Sequence, residues 1–367
     1  MGGSEWSYMK NAYETNWIAP VGPHVNGFEE DLKKFLGGQV SAGALNSGTA
    51  AIHLALILLN VKAGDEVICQ SLTFVASANP IMYLKATPVF VDSEDQTWNM
   101  SPTLLEAAIA DRVVKGNLPK AIIVVHLYGM PARMDEILEI AGRYGIPVIE
   151  DAAEALGSNF KKRKLGTLGL FGIFSFNGNK IITTSGGGAL VSVNDDFIVK
   201  ARSLASQARE SAPYYQHEEV GYNYRMSNIC AGIGRGQMEV LSLRIYQRRK
   251  NFDKYKHMLS DLPGISFQEE MDIDFFSNRW LSVIQVEPFG QEINSEKLRQ
   301  FLTKYNIEAR RVWKPMHMQP VFSKYPMYEN GVSEQLFNNG LCLPSGSNLT
   351  DYELSRVVKR IKVFYDI

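Results

Sequence analysis

The chain has 367 residues, 45% of them hydrophobic and 21% charged, with a formal net charge of −1. That length suffices for two domains and a sizeable core, and so even a charge balance offers no bulk field for nucleic acid or an anionic membrane. Cys69, Cys230 and Cys342 are scattered and odd in number, which excludes a disulfide framework or a metal pattern and fits a reducing, cytoplasmic setting.

From the N-terminus, Met1-Gly2-Gly3 opens no secretory apolar region, and Trp6 breaks the myristoylation pattern. Residues 5–17 are predicted helical. Asn16 to Pro23 form an extended, Pro-rich piece, and a helix is expected over Val25–Phe35. Asn46-Ser47-Gly48-Thr49-Ala50 then precedes the apolar run Ala51 to Leu59. Polar residues and glycine before such a run mark a helix start. The unpaired N–H groups there suit a phosphate, although an ordinary N-cap has the same appearance.

Residues 66–152 alternate between strand and helix patterns. Strands are predicted at 66–70, 88–92, 121–126 and 147–151, and helices at 74–84 (interrupted by Pro80), 104–110 and 135–144. Such alternation implies a parallel sheet with helices on both faces, whose ligands sit beyond the carboxyl ends of the strands. Asp151 falls at such an end, where a helix N-cap is the competing role. Phe74 falls at another, where a core side chain is the competing role. Lys161-Lys-Arg-Lys164 reads as a solvated hairpin turn.

The stretch Phe171 to Gly188, FGIFSFNGNKIITTSGGG, carries one lysine, Lys180. Phe174, Phe176, Ile181 and Ile182 flank it, so it is expected to leave buried, strand-like backbone. Desolvation there disfavours an ammonium, and a neutral lysine amine attacks carbonyl carbons. A phosphate-binding P-loop fails on spacing, because Asn179 precedes the lysine and Ile181 follows it. Gly186, Gly187 and Gly188 offer backbone freedom for a sharp turn or a close approach.

A strand at 189–193 and a helix at 196–208 follow. Residues 209–226 are polar and aromatic without a period, ending in Gly221-Tyr-Asn223-Tyr-Arg-Met-Ser227. Ser227 to Leu262 is a long, interrupted amphipathic stretch. Strands at 280–286 and 308–312 with a helix at 295–305 suggest a small α+β domain. No apolar run reaches the roughly 18 residues of a membrane span, and no G-x-G-x-x-G follows the first strand, which argues against a dinucleotide-binding dehydrogenase.

The Ser175-Phe176-x-x-x-Lys180 pattern with its glycines resembles the Schiff-base lysine motif of DegT/DnrJ-type nucleotide-sugar aminotransferases. These are pyridoxal phosphate enzymes of the aspartate aminotransferase fold, fold type I. The family's dehydratase branch has histidine in place of Lys180. Further motifs match in order: Asn46 to Ala50, Glu150-Asp-Ala-Ala-Glu154-Ala155, the Asn223 segment and Arg310-Arg311-Val-Trp313-Lys-Pro-Met-His317. His126-Leu-Tyr-Gly-Met130-Pro is similar to the family's His-x-x-Gly-Gln-Pro, with Met130, Arg133 and Leu170 departing from the usual polar or acidic types. Relatives usually carry a strand-like segment before this Gly-Gly, so a trimmed or late start is expected.

The resemblance implies an α/β fold. A large pyridoxal phosphate domain, residues 1–240, has a mostly parallel central sheet, and a small C-terminal α+β domain spans 241–367. It implies that Lys180 joins the cofactor covalently and that Asp151 pairs with its pyridine nitrogen. Phe74 would stack on the ring, and Glu154 would lie near the ring hydroxyl. Gly48, Thr49 and Ser175 would hold the phosphate together with Asn223 of a neighbouring subunit, which makes a homodimer with shared sites. Ile18, Pro20, Arg310, Trp313 and His317 would lie near the sugar, with either Arg310 or Arg311 facing the site. The expected reaction moves an amino group from L-glutamate, leaving 2-oxoglutarate, to a nucleotide-linked keto-sugar. Phe176 to Ser185 and Asn16-Trp-Ile-Ala-Pro20 look most like enzymes using UDP-4-keto-6-deoxy-N-acetylhexosamine. A GDP-4-keto-6-deoxymannose enzyme is the alternative. A non-catalytic binder of cofactor or sugar nucleotide is the alternative of another class, against which an intact Lys180 and Asp151 argue.

Overall fold

A computed structural model describes residues 1–288 and 293–366. The first helix, α1 (Glu5–Glu14), stops short of residue 17 because Asn16 turns left-handed, with φ 58°. In α2 (Pro23–Phe35) the proline takes the first position, where its missing N–H costs nothing. Strand β1 (Ser41–Leu45) was not expected, since SAGAL has no β-branched or aromatic residue; its pairing with a later strand makes it one. Ser47 caps α3 (Gly48–Leu58) by accepting the Ala50 N–H at 3.0 Å.

Strands β2 (Glu66–Gln70), β3 (Thr87–Val91), β4 (Ala121–Val125) and β5 (Val148–Asp151) appear where the alternation places them. Helices α4 (Asn79–Tyr83), α5 (Pro102–Val114) and α6 (Met134–Tyr144) connect them. The helix expected over 74–84 is divided. A 3-10 turn covers Val75–Ser77, and Pro80 sits in the first turn of α4. The basic run is the tip of a hairpin between β6 (Asn159–Phe160) and β7 (Arg163–Lys164). Lys161 and Lys162, at φ 48° and 63°, have the left-handed pair that a two-residue hairpin turn requires.

β8 (Phe171–Ser175) and β9 (Gly188–Ser192) flank the lysine loop. After α7 (Asp195–Ala205), the amphipathic stretch divides at Val240 into α8 (Asn228–Glu239) and α9 (Leu241–Leu259). The remaining elements are β10 (Ile265–Phe267), β11 (Phe275–Phe276), β12 (Ser282–Val286), α10 (Ser295–Lys304), β13 (Arg310–Arg311), β14 (Met327–Tyr328), α11 (Val332–Asn339), β15 (Gly340–Leu343) and α12 (Asp351–Phe364).

The large sheet has the order β1-β9-β8-β5-β4-β2-β3-β14, and β9 alone among these runs against the rest. Its central strands are buried on both faces, as parallel sheets are. Ile122 and Val124 enter one core, and Ala121 and Ile123 the other. A second, antiparallel sheet, β10-β12-β15-β13, packs with α9, α10 and α12 around a separate core that includes Ile284, Leu298 and Leu341. Two strands from the C-terminal part leave that unit: β14 joins β3, and β11 pairs with β6. Among the described residues no helix is long and apolar enough to cross a membrane.

Candidate active site

Because β1, β2, β5 and β8 point the same way, the turns after them gather at one edge of the sheet. There they border a cavity of about 540 Å³ whose other wall comes from the C-terminal part. Gly48, Thr49, Phe74, Asp151, Glu154, Ser175 and Lys180 line it together with Arg310, Arg311 and Trp313.

At one end lies the start of α3. The N–H groups of Gly48 and Thr49 are the first of the helix and have no carbonyl one turn earlier. Ser175 stands beside them; a Cβ on Gly48 would be 3.2 Å from that of Ser175. The third glycine of the triplet allows this arrangement. A Cβ on Gly188 would fall 2.2 Å from the Ser47 carbonyl carbon, so only glycine lets β9 pass so close beneath the helix N-terminus. The result is a cradle of N–H and hydroxyl donors for a phosphate.

Further in, Asp151 ends β5 and is buried. Its Oδ2 accepts the Ser77 hydroxyl at 2.7 Å and its Oδ1 the Ala153 N–H at 3.2 Å. Ser77 Oγ is in turn 2.7 Å from Thr73 Oγ1. Phe74, half exposed, faces Trp313 at 5.5 Å between ring centroids.

Lys180 does not stand in purely apolar surroundings, as its neighbours in sequence suggested. It lies in a turn beyond β8, with Nζ 3.6 Å from Glu154 Oε1 and 4.1 Å from the centroid of the Trp280 ring. The flanking Phe174, Phe176, Ile181 and Ile182 are indeed buried, but they turn away into the core and leave the ammonium to a carboxylate and an aromatic face. Burial pushes the Glu154 carboxyl up to about 7, against the opposing pull of the Lys180 ammonium and of the Tyr128 N–H. That N–H reaches Glu154 Oε2 at 2.6 Å from a residue held left-handed at φ 55°.

Trp280 and Tyr128 escaped the sequence reading. The strand expected over 280–286 begins at Ser282 instead and leaves Trp280 outside it, and Tyr128 stands in the His126-to-Pro131 motif with no role attached; their rings, 6.3 Å apart at 29°, meet only through the fold. The pairing of β13 with β15 distinguishes the two arginines. Arg310 lies opposite Cys342, a cavity residue, and Arg311 opposite Leu341 of the small core, although both arginines border the cavity. Arg310 pairs with Glu308 at 2.5 Å, and Arg311 rests on Phe337.

Four expected site residues do not line the cavity. Ile18 and Pro20 are exposed in the connection before α2. Asn223 is exposed, and its carbonyl accepts Asn46 Nδ2 at the cavity rim, 3.2 Å away. His317 bridges Ser71 Oγ at 2.7 Å and Glu334 Oε1 at 3.1 Å.

The donor set fits pyridoxal phosphate. The N–H cradle and Ser175 suit its phosphate, and the buried carboxylate of Asp151 its ring nitrogen. Phe74 suits its ring face and Lys180 its aldehyde.

Comparison with known proteins agrees. Residues 1–362 match the DegT/DnrJ/EryC1/StrS aminotransferase family. The chain is 54% identical over 363 residues to EpsN of Bacillus subtilis, provisionally named a pyridoxal phosphate-dependent aminotransferase, covering 98% of this chain and 92% of that protein. It is 37% identical over 356 residues to the GDP-perosamine synthase of Caulobacter vibrioides, covering 97% and 94%. Among solved structures, a family aminotransferase from Brucella abortus superposes with a TM-score of 0.91 at 27% identity, covering 99% and 96%. The PLP form of Spr1654 from Streptococcus pneumoniae, provisionally named a sugar aminotransferase, does so with 0.91 at 26%, covering 99% and 96%. Sequence, fold and site thus agree that the chain belongs to the DegT/DnrJ/EryC1/StrS family and is a pyridoxal phosphate-dependent sugar aminotransferase.

Proposed function

We propose that this cavity transfers the amino group of L-glutamate to the C4 ketone of a nucleotide-linked 4-keto-6-deoxy sugar. The substrate proposed first is UDP-2-acetamido-2,6-dideoxy-4-keto-hexose, and the product serves bacterial surface polysaccharide or glycan synthesis. The observation that carries this reading is the convergence of Lys180, Asp151 and the α3 N-terminus on one cavity. Bound pyridoxal phosphate supplies an aldehyde carbon for covalent capture of amines and a ring that accepts the electron pair left on a substrate carbon.

The protein's own groups do the rest. Lys180 anchors the cofactor. Its Nζ, in the cavity, would take the proton from the Cα of glutamate. In the other half of the cycle it delivers a proton to C4 of the sugar. Asp151, oriented by Ser77, keeps a proton on the ring nitrogen. Gly48, Thr49 and Ser175 bind the phosphate together with Asn223 of the partner subunit, so the working unit is a homodimer. In this reading Arg310, which lines the cavity, binds a carboxylate or diphosphate.

The test is an absorbance spectrum with added pyridoxal phosphate, before and after L-glutamate. We expect a near-visible band that glutamate bleaches and that Lys180→Ala lacks. Recovery of the band by a UDP-keto-sugar, and not by its GDP counterpart, names the substrate. Recovery by GDP-4-keto-6-deoxymannose supports the second reading, which the likeness to the Caulobacter GDP-perosamine synthase favours. A folded protein with no band would overturn the assignment.

A further inference from the structure

Trp280 stands at the hub of a network that ends on Lys180. It is 2% exposed, and each of its polar groups is engaged. Its backbone N–H donates to Asn278 Oδ1 at 2.9 Å, and its carbonyl accepts Arg248 Nη1 from α9. Its indole Nε1–H donates to the carbonyl of Asn179 at 2.8 Å, the residue directly before the lysine. Asn278 is fixed in turn. Its Nδ2 donates to the carbonyls of Glu154 at 2.8 Å and Leu156 at 3.0 Å, and its N–H reaches Ser158 Oγ at 2.9 Å. Gly129, at φ 94°, makes room for it, since a Cβ there would be 2.0 Å from Asn278 Oδ1. One connected set of hydrogen bonds therefore joins the segment before β12 to α9, to the backbone of Glu154 and to the lysine loop.

On this mount, the face of the indole lies 4.1 Å beneath Lys180 Nζ, while Glu154 Oε1 stands 3.6 Å from the same atom. A ring face attracts a cation and limits where it can go. The indole N–H simultaneously fixes the backbone from which the lysine springs. Aliphatic packing would supply neither effect.

We propose that Trp280 is a positioning residue for Lys180: its ring face holds the lysine amine at the cavity, and its indole N–H clamps the lysine loop through the Asn179 carbonyl. The inference rests on Lys180 being the reactive amine of the proposed function, but its test does not require turnover. In cofactor-free protein, the rate at which trinitrobenzenesulfonate modifies Lys180 is read by mass spectrometry of the peptide spanning Leu165 to Lys180. Trp280→Phe keeps a ring and loses the N–H; Trp280→Leu loses both. We expect labelling to rise about threefold in the Phe variant, which loses the clamp, and about tenfold in the Leu variant, which loses the ring as well.

With cofactor and glutamate, kcat of the half-reaction is expected to fall in the same order, while KM for glutamate stays within about twofold. Equal labelling rates in wild type and both folded variants would overturn the proposal. If the Leu variant does not fold, wild-type labelling in the Phe variant overturns it alone. Wild-type protein that labels as expected yet shows no glutamate-dependent spectrum would instead overturn the functional reading and leave the positioning role standing.

Discussion

At the scale of single residues, Glu154, 3.6 Å from Lys180, ties the protein's stability to pH. Its carboxyl is raised from an ordinary 4.5 to about 7, chiefly because it is buried. A raised acid holds its proton in the folded state over a range where the unfolded chain has released it. Between about pH 4.5 and 7 the native state thus binds more protons, and this group's contribution to stability falls as pH rises through that window. One pKa unit corresponds to about 1.4 kcal/mol, so the difference across the window is about 3 kcal/mol. Glu154→Gln removes the titration while keeping an oxygen for the Tyr128 N–H. In cofactor-free protein, the melting temperature of the variant relative to wild type is therefore expected to climb by a few degrees from pH 4.5 to pH 8 and then level off. A constant difference across that range would show that Glu154 titrates normally.

At the scale of elements, β5 shows how one strand serves both fold and site. Its side chains alternate between faces. Asp151 turns to the cavity, and Glu150 turns the other way, fully buried. Glu150 Oε1 accepts the N–H groups of Leu168 and Gly169, each at 2.6 Å, and Oε2 accepts the Gly166 N–H at 2.9 Å. His126 Nε2 lies 3.0 Å from the same Oε2. His126 Nδ1 accepts the Ala132 N–H at 3.1 Å, so the ring proton sits on Nε2 and points to the carboxylate. Glu150 thereby holds the loop that feeds β8, which ends on Ser175, and beyond it Lys180. Glu150→Gln replaces one acceptor by a donor and leaves two buried donors facing an NH2 group. At about 1–3 kcal/mol each, a loss of about 2–6 kcal/mol is expected, read as a lower urea midpoint at unchanged m-value. A midpoint equal to wild type would contradict this reading of the loop.

Much of this was legible beforehand, and the gaps have physical causes. β2 spans the predicted residues, and β3, β4 and β5 lie within one residue at each end, because buried parallel strands write continuous apolar runs. Lys180, Asp151 and the α3 start, which the fold brings to one cavity, were singled out through the family's ordered motifs, since alone the last two look like ordinary N-caps. β1 escaped because Ser, Ala and Gly carry no strand signature, and β11 and β14 because two residues carry no period. α12 also went unread, although Thr350 and Glu353 form a capping box that announces it. Trp280, in the predicted strand 280–286, and Tyr128, inside the His126-to-Pro131 motif, showed no site role in the sequence, since what matters about them is which distant residues they meet.

At the scale of the whole molecule, the cavity depends on the chain returning to its first half. Asp92, at the end of β3, accepts the N–H groups of Asn330 and Gly331 on Oδ2 and that of Ser333 on Oδ1. The Met316 N–H reaches the Ser71 carbonyl at 2.8 Å. These bonds fix the wall that carries Trp313 and Arg310 opposite Asp151 and Lys180. The remaining part of the proposed site comes from outside the chain. Asn223 is exposed beside Asn46 at the rim, and in the proposed homodimer its side chain serves the partner's phosphate cradle. Asn223→Asp then sets a carboxylate against that phosphate, and cofactor affinity is expected to drop at least about tenfold. Co-expression with a Lys180→Ala chain gives the decisive measurement. If the asparagine acts across the interface, each mixed dimer has one site with both residues intact and one with neither. Random pairing makes half the dimers mixed, so about a quarter of wild-type sites should recover activity at limiting cofactor. If Asn223 serves its own chain, every site in the mixture stays defective and nothing recovers, which would remove the shared site from the proposal while leaving the chemistry of Lys180 and Asp151 intact.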